Sequence, residues 1–308
     1  MALLRSGFAA GVGAYLLWGL FPLYWPLLKP AAPIEILAHR VVWSVVLLAV
    51  ILAVTGGFAW TLKLGRRRAA LLALAATLIT INWGTFIYGV NSGHVVETSL
   101  GYFMNPLVTV ALAVALLGER LRRPQWLAVG IAGVAVVVLA IDYGRPPWIA
   151  LTLAVSFALY GLVKKRANVD GVRSLAIETA FLVVPALGYL LWLGASGAGT
   201  FTSEGPGHAA LLAAGGIATA IPLMLFGVAA IRVPLTTLGL LQYIAPTMQF
   251  SIGVLLYGEA MPASRLAGFA LVWVALAVFT VDAINSGRAA TRSSRIAATA
   301  SAASGIRG

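Results

Sequence analysis

The chain contains no cysteine, so disulfides, thiolate zinc sites, iron–sulfur clusters and cysteine nucleophiles are excluded together. Charge is scarce as well. Only 10% of the 308 residues are charged, against roughly 25% in a soluble domain, so a water-facing surface cannot be assembled from them. HExxH, GxSxG and P-loop patterns are absent, which removes the zincin, hydrolase-elbow and nucleotide-driven mechanisms that need them. Glu35/His39 and His94/Glu97 each offer one incomplete catalytic pair. Neither supports an enzyme, and no metal or cofactor is implied.

What is present is apolar: 61% of residues are hydrophobic. They fall into ten runs, at approximately 8–28, 34–54, 69–90, 96–117, 125–141, 147–163, 174–194, 208–230, 235–256 and 265–284. Most reach the roughly 17–25 residues that a helix needs to cross about 30 Å of hydrocarbon. Pro146-Pro147 marks the break between the fifth and sixth, since proline stops a helix and restricts the residue before it. A net charge of +12 would raise nucleic-acid binding in a soluble protein. Here the basic residues sit in short clusters between apolar runs, so no nucleic-acid partner is expected. The first run continues through Trp18, Pro22 and Trp25 without a small-residue cleavage site, and is read as a retained span rather than a secretory signal. The stretch 286–308, rich in Ala, Ser, Gly and Arg, has no apolar run and is expected to be a disordered cytoplasmic tail.

Basic residues orient the spans, because cytoplasmic loops collect them. With the N-terminus inside, seventeen Lys and Arg fall on the cytoplasmic side. Three (Lys29, Arg145 and Arg265) fall outside, and Arg40 lies within a span. Both termini are therefore expected in the cytoplasm, in a multi-pass protein of the cell inner membrane.

An internal repeat divides the chain. Leu100-Gly101 leads to Asn105-Pro106 and on to Gly118-Glu119; Leu238-Gly239 leads to Ala245-Pro246 and on to Gly258-Glu259. The Pro and Gly-Glu landmarks recur 140 residues apart, and Trp18-Gly19 and Tyr160-Gly161 recur at 142. The expected organisation is thus two five-helix repeats, 1–142 and 147–285. An odd number of spans per repeat forces the copies into opposite orientations. Inverted repeats are a recurring architecture of secondary transporters, with the site near the midplane between the halves. Pro106 and Pro246 are hinge or site-lining candidates, with ordinary packing as the alternative. Gly7 and Gly11, four apart, could let two helices approach closely.

Polar residues at membrane depth are costly and tend to face cavities. Glu35, His39 and Arg40 enter the second span, with Arg40 roughly 8 Å below its outer boundary at about 1.5 Å per residue. Snorkelling to the headgroups is the competing reading for Arg40. An Arg there would suit a carboxylate or phosphate, which its fork binds in bidentate fashion. Glu178 enters the seventh span from the opposite face, too far along the normal to pair with Arg40. Asn82, Asn91, His94, Glu97, Asn105, Gln242 and Gln249 complete the set, as interhelical hydrogen bonds or as solute contacts, and Asp282 reads as a boundary residue. Trp25, Trp60, Trp126 and Trp148 fit an interfacial belt, whereas Trp18, Trp43 and Trp83 lie deeper. Aromatic walls with a few polar groups are what small-molecule pockets need.

The segment Ala14–Tyr24 (AYLLWGLFPLY) and the segment Glu35–Ser44 (EILAHRVVWS) resemble the RarD proteins of the EamA branch of the drug/metabolite transporter superfamily. Asn82-Trp83, the Asn91–Glu97 stretch, the Gly101–Pro106 turn and both Gly-Glu endings also match. The resemblance covers the chain to about residue 285, less sharply in the second half. It implies ten helices in two inverted halves around a central cavity. The candidate cavity residues are Trp18, His39, Arg40, Trp43, Asn82, Trp83, Asn91, Glu97, Tyr102, Asn105, Glu178, Gln242 and Tyr243. A secondary transporter of a small organic metabolite or drug-like solute is expected, working by alternating access among membrane lipids with protons as a candidate coupling ion. A channel, or a non-transporting accessory or receptor protein, is the alternative.

Overall fold

The computed structural model describes residues 7–55, 65–117, 120–167, 169, 171–233 and 241–305. They form ten helices of eight residues or more, with no strand among the described residues: α1 Gly7–Gly19, α2 Pro33–Thr55, α3 Arg66–Asn91, α4 Val95–Leu117, α5 Arg123–Tyr143, α6 Trp148–Ala167, α7 Gly171–Ser196, α8 Gly205–Arg232, α9 Ile244–Ser251 and α10 Ala263–Gly305. Among the described residues eight segments are long and apolar enough to cross a membrane, and Trp148–Lys164 and Ile244–Leu256 are shorter apolar helices. The ten apolar runs thus become ten helices.

Local chemistry sets several ends. The Gln125 side chain accepts from the Arg122 N–H at 3.0 Å at the start of α5, and Pro124 sits in its first turn, where a missing N–H costs nothing. Gly144, at φ +63°, ends α5 in the left-handed conformation that glycine adopts freely. The first span differs from the expected continuous run. After α1 the chain re-forms as a short helix, Phe21–Tyr24, and a 3-10 turn, Trp25–Leu28. Pro22 and Pro26 each sit in the opening turn of one of these pieces, where an interior proline would break a longer helix. Before α9 a turn occupies Gln242-Tyr243, and after α9 a π turn spans Ile252–Leu256. Pro246 cannot donate to the carbonyl four residues back, that of Gln242, which accounts for the turn. Pro106, by contrast, lies inside an unbroken α4.

Between helices in lipid, close packing and hydrogen bonds replace the hydrophobic drive. Gly7 and Gly11 of α1 meet Arg232-Val233 and Ala229 of α8, so the four-residue glycine spacing does serve a close approach. Helix α1 packs on α8 and α9, and α6 packs on α3 and α4. Helices α2 and α7, α4 and α9, and α5 and α10 pack on one another. Two buried clusters are larger than the rest among the described residues. One joins α4, α5, α6 and α10 through Phe103, Leu139, Ala150 and Phe269. The other joins the end of the first span to α2, α3, α6 and α8 through Phe21, Trp25, Ile36, Ile87, Leu153 and Leu212.

One expectation needs correction. Trp25 is not an interfacial residue: it is fully buried, because the broken first span turns it inward, whereas Trp126 and Trp148 are exposed. Trp60 lies outside the described residues. Beyond residue 285 the helix α10 continues to Gly305. It contains no proline and is rich in alanine and arginine, good helix formers, so nothing stops the helix. Of the two Gly-Glu landmarks, 118–119 lies outside the described residues and Gly258-Glu259 lies within them.

Candidate functional site

Helix α2 carries Glu35, His39, Arg40 and Ser44 inward, and all four are buried. It can do so because α8 presents Gly216 to it: a Cβ there would stand 2.5 Å from the Trp43 carbonyl carbon. Close backbone approach brings Thr219 of α8 to Arg40, whose Nε donates to Thr219 Oγ1 across 2.5 Å. The guanidinium is packed among rings, with its carbon 3.9 Å from the centroid of Trp83, 5.3 Å from Trp25 and 5.7 Å from Phe21. No carboxylate is within ion-pair distance of it among the described residues. Arg40 Nη1 is buried without a hydrogen-bond partner, as are the indole N–H groups of Trp25 and Trp43 and Nε2 of His39.

Three of those four atoms, Arg40 Nη1 and the two indole nitrogens, can only donate. The neighbourhood is therefore rich in donors that need acceptors. A buried unpaired guanidinium costs at least about 2.5–3.5 kcal/mol on insertion scales. Desolvated contact with an aromatic face returns about 2 kcal/mol. The rings thus make the charge tolerable without neutralising it, and its 2% exposure rules against snorkelling.

A second polar group adjoins this one. Tyr102 of α4 donates to Asn82 Oδ1 at 3.1 Å, and Asn82 Nδ2 donates to the Leu153 carbonyl and Ser156 Oγ of α6 at 2.9 and 3.1 Å. Trp18, Trp83 and Tyr102 pack against the same cluster as Phe21 and Trp25. His39 stacks on Phe201, centroids 4.6 Å apart, and Trp43 stacks on the same ring at 6.4 Å. Of the expected cavity residues, the structure brings together Trp18, His39, Arg40, Trp43, Asn82, Trp83 and Tyr102.

The others stand elsewhere. Glu178 accepts from Lys164 at 2.7 Å, from Ser174 at 2.5 Å and from Tyr160 at 3.0 Å, so it is consumed by its own network and does not meet Arg40. Glu97 accepts from Arg145 Nη2 at 2.8 Å and from the Ile149 N–H at 3.1 Å, tying α4 to the start of α6. Asn91 lies at the end of α3 and Asn105 midway along α4, each with a buried, unpartnered Oδ1. Tyr243, beside Gln242 in the turn before α9, packs against the other cluster. Gln249 donates to the Trp18 carbonyl at 3.1 Å. Asp282 pairs with Arg122 at 2.5 Å, consistent with a boundary position.

Thr219, Thr200, Phe201 and His208 were not among the expected site residues. The threonines and the phenylalanine look like ordinary span or loop residues in sequence. His208 carried a signal: a histidine opening a span, on the same side as Glu35.

The start of α4 and the end of α5 are held by further contacts. Both oxygens of Glu259 accept from the first turn of α4, from the N–H groups of Val95 and of Val96, the latter at 2.9 Å. Burial pushes the Glu259 carboxyl above its usual range, against those two hydrogen bonds and the charges of His94 and Arg265. Arg265 pairs with Asp142 at 2.8 Å. Tyr257 donates to the Pro22 carbonyl at 2.7 Å, at the break in the first span.

Residues 5–141 match a family model described as the EamA-like transporter family. Protein RarD of Streptomyces exfoliatus is 60% identical over 286 residues, spanning 92% of this chain and 91% of its own length. An uncharacterized transporter of Vibrio cholerae is 40% identical over 296 residues, spanning 94% of this chain and 96% of its own. A solved crystal structure shares the fold at a TM-score of 0.57 and 20% identity, over 90% of this chain and 98% of that one. With likeness of this degree running through both halves, the chain belongs to the EamA-like transporter family, as a multi-pass, RarD-like permease of the cell membrane.

Proposed function

We propose that the protein is a secondary transporter that carries a small organic solute across the cytoplasmic membrane by alternating access between its two five-helix halves. The observation that carries this reading is Arg40: a buried cation, with no carboxylate in ion-pair distance among the described residues, surrounded by rings and by unpartnered donors. Such a site binds an acceptor, so the solute is a carboxylate- or phosphate-bearing metabolite, anionic or zwitterionic. His39, Trp43, Asn82, Trp83 and Tyr102 supply the walls and secondary polar contacts. An intramembrane guanidinium of this kind marks a solute path in a transporter.

The packing supports the two-halves reading. Replacing each helix by the one five places on turns the α1–α8 and α1–α9 pairs into α6–α3 and α6–α4. The same exchange maps α2–α7, α4–α9 and α5–α10 onto themselves. An inverted repeat, with Pro106 and Pro246 in equivalent places and both termini cytoplasmic, accounts for that reciprocity. Protons are the coupling ion in this scheme.

Metabolite profiling of a deletion strain against an overexpressing strain tests the reading. A defined solute changing in opposite directions in the two strains, with the change abolished by a protonophore, is the expected result. A flux indifferent to the protonophore would favour a channel. No solute difference would favour an accessory or receptor role.

A further inference from the structure

Near its outer end α2 holds a second buried charge, Glu35, only 2% exposed and five residues before Arg40. No basic side chain lies within ion-pair distance of it among the described residues. Its partner is Thr200, in the connection between α7 and α8. The Thr200 N–H donates to Glu35 Oε1 at 2.7 Å and its hydroxyl donates to the same oxygen at 3.0 Å. The hydroxyl oxygen also lies 2.9 Å from His208 Nε2, at the start of α8. Chemistry fixes the directions. An ionised carboxylate can only accept, so the single hydroxyl proton is committed to Glu35, and the hydroxyl oxygen can only accept from His208. His208 therefore carries its proton on Nε2, and the three groups form an unbroken donor chain: imidazole N–H, hydroxyl O–H, carboxylate.

We propose that Glu35, Thr200 and His208 are the proton-coupling site of this transporter. A proton from the outer aqueous side binds His208 Nδ1. The Nε2 proton passes to Thr200 Oγ1 as the hydroxyl proton passes to Glu35 Oε1. The imidazole is left neutral, the threonine regenerated and the carboxylate converted to a carboxylic acid. One proton has then moved from half-buried His208 to fully buried Glu35. The next residue, Phe201, carries the stacked His39 ring, one helical turn beyond Glu35 and adjacent to Arg40. Among the described residues the groups around the relay are His39 on α2, which senses both Glu35 and His208, Arg40 beside it in the chain, and Glu204, whose N–H donates to the Thr200 carbonyl at 3.2 Å. Neutralising Glu35 removes a negative charge that acts on His39, the residue next to Arg40. That change alters how strongly the Arg40 site holds an anion, which is the link that coupling requires.

The inference rests on the transporter reading, and the test separates the two. Infrared titration of the full chain in lipid vesicles, with protons as the only probe, reads the carboxylic-acid carbonyl band directly. A band that grows as the pH falls and is missing in Glu35→Gln is expected, and its persistence in that variant would overturn the proposal. In overexpressing cells, the protonophore-sensitive solute shift should fall at least about tenfold in Thr200→Val. That variant removes the hydroxyl but keeps the shape and the N–H bond to Glu35. Thr200→Ser, which restores the hydroxyl, should stay within about twofold of wild type. A fully coupled Thr200→Val would show that Thr200 only ties the α7–α8 connection to α2. If the wild type shifts no solute, the transporter reading fails, and the infrared titration still decides whether Glu35 takes the proton.

Discussion

The Arg40 guanidinium carbon lies 3.9 Å from the centre of the Trp83 ring, the shortest of its three aromatic contacts. An indole face attracts the cation without accepting its hydrogen bonds, so the charge is stabilised while Nη1 stays unpartnered. A carboxylate in that position would have neutralised the site. The arrangement keeps a positive charge inside the bundle and leaves Nη1 free for an acceptor.

The close approach of α2 and α8 is a steric requirement at Gly216. Gly216→Ala places a methyl group 2.5 Å from the Trp43 carbonyl carbon and 2.8 Å from the Ser44 nitrogen, backbone atoms that cannot rotate away. Overpacking of this kind costs about 1–3 kcal/mol. The melting temperature of purified Gly216→Ala should fall clearly below that of the wild type. Gly130→Ala, where nothing lies within 4 Å, should match or slightly exceed the wild type.

Glu259 gives stability a pH dependence of known sign. Its folded-state pKa is raised above the unfolded value of 4.5, so the folded protein keeps this proton to higher pH. The stability it contributes is fully present below the unfolded value and is lost as the pH rises through the folded one. Melting temperatures measured across that acidic window should decline with rising pH in the wild type more steeply than in Glu259→Gln. Parallel pH profiles for the two proteins would show that burial does not set the titration of Glu259.

The absence of cysteine makes single-cysteine labelling clean. Cysteines introduced near Arg67, Arg122 and Arg166 should resist an impermeant reagent in intact cells, while cysteines near Arg145 and Gly205 should react. The reversed pattern would overturn the cytoplasmic placement of both termini.

Most of the helix layout could be read from the sequence because lipid imposes one strong rule, a long apolar run per span. Arg40, His39, Trp83 and Asn82 were legible for a related reason: polar or bulky groups at membrane depth need a cause. Glu178 and Glu97 carried the same signal, yet they belong to local pairs with Lys164 and Arg145, because nothing in one sequence tells which cation a buried carboxylate will meet. Trp25 was misread for lack of one fact, the break that Pro22 and Pro26 put into the first span. Thr219, Thr200 and Phe201 were illegible because their roles exist only across helix contacts between residues more than 160 positions apart.

The proposed grip of Arg40 on the solute is open to substitution at that one position. Solute profiles of cells expressing wild type, Arg40→Lys and Arg40→Gln should be compared at matched levels of membrane-inserted protein. Lysine keeps the charge but loses the planar fork that grips a carboxylate or phosphate in bidentate fashion and stacks on Trp83. Both variants should lose the solute shift by about tenfold or more, the consequence of one lost charge-assisted hydrogen bond of about 1.5–3 kcal/mol. A normal shift in Arg40→Lys would overturn that role and reduce Arg40 to a generic positive charge.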